Sequence, residues 1–189
     1  MPNWCNCQLI VTNSTPKLEA FLKGHGLSFE AIVKPNRPEN DENNFGAVDA
    51  QQSAWGTKWD LDENDAKETA DCLLNGGACS FDTAWSPPSE AIRVLSEITG
   101  ASFELTFYEP GCWFWGKESI EDGYRSTDID SESGSKEELF EFLVEEMGYD
   151  GEDARQEVFG DEEEAEQEEV ERLKDEKNGL YLGVQDIAN

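Results

Sequence analysis

The chain has 189 residues, and 43 Asp and Glu against 14 Lys and Arg give a formal net charge of −29. That excess disfavours direct binding of nucleic acid, whose phosphates are met by clustered Lys and Arg. No stretch approaches the ~18 consecutive apolar residues of a membrane-spanning helix.

Residues 3–12 end in Cys7, Leu9 and Val11 alternating with Gln8, Ile10 and Thr12, which predicts a strand. Asn13-Ser14-Thr15-Pro16 offers a turn and a cap, with Pro16 near the first helical position. Leu18, Phe21 and Leu22 follow at helical spacing, and Gly24-His25-Gly26 ends the helix. Leu27–Val33 is a short apolar segment, and Pro35–Asn44 is a loop. Ala54–Leu61 is expected to be a short strand carrying Trp55, Thr57 and Trp59 on one side. Asp62–Leu74 has helical spacing in Ala66, Ala70 and Leu73, closed by Gly76-Gly77. Cys79, Phe81, Thr83 and Trp85 alternate along the next strand. Ser86-Pro87-Pro88-Ser89 then opens a helix with Ile92, Leu95 and Ile98. Phe103, Leu105 and Phe107 mark a further strand. Glu109-Pro110-Gly111 turns the chain, and Cys112–Gly116 runs back. Two helices on one face of an antiparallel sheet, an α+β fold, satisfy this order.

The C-terminal part is more acidic. Residues 1–118 hold 18 acids and 8 bases, and residues 119–189 hold 25 acids and 6 bases. The expected organisation is an α+β domain over 1–120, a linker over 121–134 rich in Gly, Ser and Asp, and an acidic, mainly helical region over 135–189. Ser135 followed by Glu138 is a capping-box signature. Leu139, Phe140, Leu143, Val144 and Met147 form an apolar stripe that should be buried. Asp161–Lys177 has few apolar residues and reads as a solvated helix. Leu180–Val184 could form a last strand.

Four segments, Met1-Pro2-Asn3-Trp4-Cys5, Trp55-Gly56-Thr57-Lys58-Trp59-Asp60, Phe81-Asp82-Thr83-Ala84-Trp85-Ser86-Pro87-Pro88 and Glu109-Pro110-Gly111, stand in one order. In them the chain resembles the YubB-like proteins of phages and conjugative plasmids, over about residues 1–120. The resemblance implies a ferredoxin-like domain and a mobile-element origin. It implies no activity and no iron–sulfur site, because the four-cysteine cluster run is absent.

The five cysteines, without an export signal at the N-terminus, are expected to be reduced thiols in the cytoplasm of a host bacterium. Cys5 and Cys7 share a strand face. They are either small buried residues or half of a metal site completed by Cys72, Cys79 or Cys112. With no second close pair and His25 the single histidine, the buried reading is favoured and no metal is expected. Gly76-Gly77 lacks the Gly-Lys-Ser/Thr ending of a phosphate loop, and His25 between glycines is poorly placed for a nucleophilic triad. No catalytic residue and no cofactor are therefore assigned.

Two groups of residues remain as candidate sites. Trp55, Lys58, Trp59, Thr83, Trp85 and Glu109 form an aromatic pocket if their strands are neighbours. The competing reading puts the tryptophans in the core, with Lys58 paired to Glu109 at its edge. The second group is Asp161, Glu162, Glu163, Glu164, Glu166, Glu168, Glu169 and Glu171, eight acids within 11 residues. As a helix they would span roughly 16 Å at ~1.5 Å per residue, a length over which duplex DNA carries about ten charges. The expectation is a non-enzymatic binding protein. Its acidic surface would engage a basic protein, a nucleic-acid-binding host defence component, by mimicking DNA. The alternative is a small-molecule-binding or catalytic domain built on the tryptophan patch, with a solubilising acidic tail. A zinc-stabilised module stands third.

Overall fold

The computed structural model describes residues 3–37, 45–131 and 134–160. It divides into two units, Met1–Ser133 and Gly134–Asn189.

In the first unit, β1 (Trp4–Asn13) is followed by four helices, α1 (Pro16–His25), α2 (Phe29–Ile32), α3 (Phe45–Trp55) and α4 (Glu63–Gly76). Then come β2 (Ala78–Ala84), α5 (Ser89–Thr99), β3 (Ser102–Glu109), β4 (Phe114–Glu121) and β5 (Tyr124–Ser131). The strands form one sheet in the order β2-β1-β3-β4-β5 with every neighbouring pair antiparallel. Because β2 and β3 both run against β1, they are parallel to each other. The chain therefore crosses from one to the other through α5, leaving β1 between them as in a split β-α-β unit.

The alternation in β1 does the work expected of it. Cys5, Cys7 and Leu9 are buried between half-buried Asn6, Gln8 and Ile10. Leu9 stands opposite Leu105, Val11 opposite Phe103, and Phe103 opposite Ile120, so one face of the sheet is apolar across three strands. Leu18 and Leu22 of α1 share a single core with Ile92 and Leu95 of α5 on that face. The two helices thus lie on the same side, as the α+β reading requires. Their ends follow local chemistry. Thr15 Oγ1 accepts from Leu18 N–H ahead of Pro16, and Asp62 accepts from the N–H groups of Asn64 and Asp65.

Three expectations need correction. Ala54–Leu61 is not a strand. Helix α3 runs to Trp55, and Gly56 (φ +89°) breaks it, its backbone so close to Pro87 that a Cβ would come within 2.8 Å of the Pro87 carbonyl oxygen. The period-2 spacing of Trp55, Thr57 and Trp59 came from a helix end and a bend. The second correction is the linker over 121–134, most of which is β5. Asp122 and Gly123 both have positive φ (49° and 77°) and link β4 to β5 as a two-residue hairpin turn. The sheet therefore extends to Ser131, beyond the expected boundary at 120. Third, β4 begins at Phe114, so Cys112 and Trp113 belong to the turn.

In the second unit, α6 (Lys136–Glu145) carries the expected capping box between Ser135 and Glu138. Leu139, Phe142 and Leu143 are buried and Met147 is half-buried. A further helical stretch over 151–160 is capped by Asp150, and Phe159 packs on Phe140 with ring centroids 6.3 Å apart. The run Asp161–Lys177 and the segment Leu180–Val184 lie outside the described residues.

Candidate functional site

The segment after α3 is strapped to the end of β2. Thr57 Oγ1 donates to the Ala84 carbonyl at 2.7 Å, Lys58 N–H donates to the same oxygen at 3.2 Å, and Ser86 Oγ donates to the Gly56 carbonyl at 2.6 Å. Trp85 N–H donates to the Asn3 carbonyl at 2.9 Å, tying in the start of β1. These bonds bring three segments distant in sequence to one end of the sheet.

Side chains of four residues meet there. Lys58 Nζ lies 3.9 Å from the centroid of Trp85 and 4.9 Å from that of Trp59. Trp59 meets Trp4 edge to face, with centroids 6.3 Å apart. Trp4, Trp59 and Trp85 are 48%, 42% and 39% exposed. An ammonium held over exposed indoles gains about 0.5–1 kcal/mol per ring. Trp85 also has a positive φ of +77°, and Trp113 in the β3–β4 turn has one of +57°. A bulky side chain rarely adopts that backbone, which costs about 1–2 kcal/mol. The strain at Trp85 is held by its backbone bond to Asn3, and the indole is presented to solvent.

Of the six residues grouped by sequence, the structure unites Lys58, Trp59 and Trp85. Trp55 is fully buried, its Nε1–H donating to the Val33 carbonyl at 2.8 Å, so it is core and no part of a pocket. Thr83 and Trp85 do not share a strand face, because β2 ends at Ala84. Thr83 is buried and its hydroxyl donates to the Ser86 carbonyl. Glu109 is also buried, and its carboxylate accepts from the N–H groups of Gly111 and Cys112 at 2.8 and 2.6 Å. It fixes the β3–β4 turn and is not the partner that the core reading gave Lys58.

Beside the tryptophans lies a cavity of about 500 Å³ that the sequence reading missed. Trp4, Leu61 and Phe81 supply apolar walls, and Asp65, Glu68 and Asp82 supply carboxylates; no lining residue is basic. Asp65 and Glu68 project from α4 at i, i+3 spacing, which places them on one helix face. Asp82 comes from β2. Burial, and then the negative charge of Asp65, hold the Asp82 carboxyl above its ordinary range. Like charges are gathered here around an aromatic wall, a surface complementary to a cation with an apolar stem.

Several cations elsewhere are paired with carboxylates. Arg93 pairs with Glu90 and Glu97, Arg125 with Glu90 and Glu118, and Lys117 with Glu104. Cys5 and Cys7 are buried side by side, with Sγ atoms 4.0 Å apart. The hydrogen bond from Cys7, and then burial, push the Cys5 thiol far above the usual range, so both behave as small core residues. Among the described residues no three His, Cys, Asp or Glu are grouped to hold a metal, and no helix is long and apolar enough to cross a membrane. The acidic run over 161–171 lies outside the described residues.

A family model described as the ferredoxin-like domain in Api92-like protein matches residues 54–176. The matched region includes Lys58, Trp59, Trp85 and every residue of the acidic cavity's lining except Trp4, and it reaches through the run Asp161–Glu171. It differs in extent from the resemblance expected over residues 1–120. No curated protein and no solved structure matches the chain.

Proposed function

The chain belongs to the family of ferredoxin-like domains in Api92-like proteins, and on that premise we propose that it is a non-enzymatic binding protein whose acidic surface engages a basic, nucleic-acid-handling protein. The observation that carries the reading is the cavity between α4 and β2, where Asp65, Glu68 and Asp82 converge on the wall formed by Trp4 and Phe81 with no base among them. A guanidinium or ammonium on an apolar stem satisfies both halves of that surface, through carboxylate pairing and stacking on indole. A phosphate, with no base in the lining to receive it, would be repelled. The run Asp161–Glu171 adds eight acids in 11 residues, which as a helix would match the charge density of duplex DNA.

In its concrete form the protein is of phage or plasmid origin, as its YubB-like motifs suggest. It acts in the cytoplasm of a host bacterium and occupies the DNA groove of a host defence component. The attraction is long-ranged, so it speeds encounter and weakens with salt. The test is to immobilise the full chain, capture proteins from bacterial lysate, and challenge the complex with duplex DNA. A basic nucleic-acid-binding protein that duplex DNA displaces fits the proposal. A captured protein that holds on unchanged in excess DNA counts against it.

A second reading rests on the outward, strained Trp85 with Lys58 above its ring. That cluster would stack a planar small molecule, with the acidic residues serving solubility. Quenching of tryptophan fluorescence by such a compound, lost in Trp85→Ala, would move this reading ahead.

A further inference from the structure

Two thiols meet where α4 turns into β2. Helix α4 ends at Gly76, and Gly77 (φ +73°) reverses the chain so that β2 starts beside the last turn of the helix. Cys72 is exposed on that last turn, and Cys79 is half-buried as the second residue of β2. Cys79 stands opposite Leu9, on the sheet face that carries the helices. Cys72 Sγ donates to the carbonyl of Ala78, the residue before Cys79, at 3.0 Å. Both thiols line the acidic cavity. The Cys79 thiol is pushed up to about 11, by burial first and by the neighbouring Cys72 thiol second. The other cysteines are placed differently. Cys5 and Cys7 are sealed in the core, and Cys112 sits in the β3–β4 turn near Asn3.

We propose that Cys72 and Cys79 are an oxidisable pair, a modification site at which a small-molecule disulfide such as oxidised glutathione closes a bridge between α4 and β2. The exposed Cys72 loses its proton and attacks one sulfur of the glutathione disulfide. A Cys72–glutathione bond forms, the glutathione S–S bond breaks, and one glutathione thiolate leaves. Cys79, once deprotonated, attacks Cys72 Sγ and expels the second glutathione. Two protein thiols are oxidised to one disulfide, and one glutathione disulfide is reduced to two thiols. The raised Cys79 makes the second step slow at neutral pH and faster as pH rises, because the thiolate is the attacking form. Since α4 carries Asp65 and Glu68 and β2 carries Asp82, the bridge fixes two sides of the cavity relative to each other.

The inference does not depend on the proposed partner, and its test needs none. The full-length protein is incubated with oxidised glutathione, then unfolded, and its free thiols are counted. The expected count falls from five to three. Chymotryptic cleavage after Leu73 or Leu74 should give two peptides held together only by a Cys72–Cys79 bond. Cys79→Ser should instead accumulate glutathione on Cys72, and Cys72→Ser should keep its remaining thiols free. Both positions reach solvent, and circular dichroism checks that the variants fold. Should either fail to fold, the peptide map of the unaltered protein still decides. Five free thiols after treatment, a bridge between other cysteines, or a folded Cys79→Ser protein without glutathione on Cys72 would overturn the proposal.

Discussion

Replacing Trp55 by Phe separates the core assignment from the pocket assignment. The indole is fully buried, packs on Phe29 with centroids 6.3 Å apart, and donates to the Val33 carbonyl. Phenylalanine keeps part of the ring but loses the donor, at about 1 kcal/mol. It also leaves a void of two to three methylene volumes, worth about 2 kcal/mol at ~0.8 kcal/mol each. The expected loss is about 3 kcal/mol, in the range found for large-to-small changes in cores. Trp59→Phe is the matched control. Trp59 is 42% exposed with no core neighbour in its ring pairing, since it meets half-exposed Trp4. Its loss should stay below about 1 kcal/mol. Urea unfolding followed by far-ultraviolet circular dichroism reads both, with unchanged slopes showing that the unfolded states are comparable. Losses for Trp55→Phe and Trp59→Phe within ~0.5 kcal/mol of each other would refute the core assignment, because differences of that size are ordinary for surface sites.

Trp85→Ala and Trp85→Gly both remove the indole and its contact with Lys58, so their difference isolates the backbone at φ +77°. Glycine should be the more stable of the two by about 1 kcal/mol in urea unfolding, the reverse of the usual order, and alanine being the more stable would show that residue 85 is unstrained. Asp82 is raised by burial and then by Asp65, so the native state holds its proton more tightly than the unfolded chain does. Stability is therefore lost as pH rises from the ordinary carboxylate range through the native value. Asp82→Asn should raise the melting temperature at neutral pH, with the gain disappearing in acid; a gain that is independent of pH would contradict this assignment. Asp150 works in the opposite sense, lowered by the Asp153 and Glu152 N–H groups that it caps, so its contribution is present at neutral pH and lost on acidification. Asp150→Ala should flatten the acid side of the melting profile.

Elements with a local chemical signature were legible. Thr15-Pro16 and the Ser135–Glu138 box announced α1 and α6, the spacing of Ala66, Ala70 and Leu73 with Gly76-Gly77 announced α4, and the alternation around Cys7 and Leu9 announced β1. Helix α3 was not, because its burial is concentrated at Trp55 and the remaining described side chains make no apolar stripe. Strand β5 was missed for a related reason. Residues 124–128 are all exposed, Tyr124 at 81%, so no alternation marks the edge of the sheet. The Asp122-Gly123 dipeptide was its only signal. At the site, spacing put Lys58 between Trp55 and Trp59, whereas the structure sets it over Trp59 and Trp85; the departure of Trp85 from the strand depends on a bond to Asn3, over 80 positions away. The acidic cavity was hidden for the same reason. Asp65 and Glu68 mark one helix face, and only the docking of α4 beside β2 adds Asp82 and joins Cys72 to Cys79.

The salt dependence of affinity for a captured basic partner tests the central claim most directly. It should be measured for the unaltered protein and for a variant with Glu163, Glu164, Glu168 and Glu169 replaced by Gln. An exposed ion pair contributes only ~0–1 kcal/mol, so a single replacement should do little, and four together should cost about 2 kcal/mol, a loss of roughly 30-fold. The account predicts a steep decline of affinity with salt in the unaltered protein, and weaker binding with a shallower decline in a variant that melts normally. Equal affinities and equal slopes in the two folded proteins would contradict it.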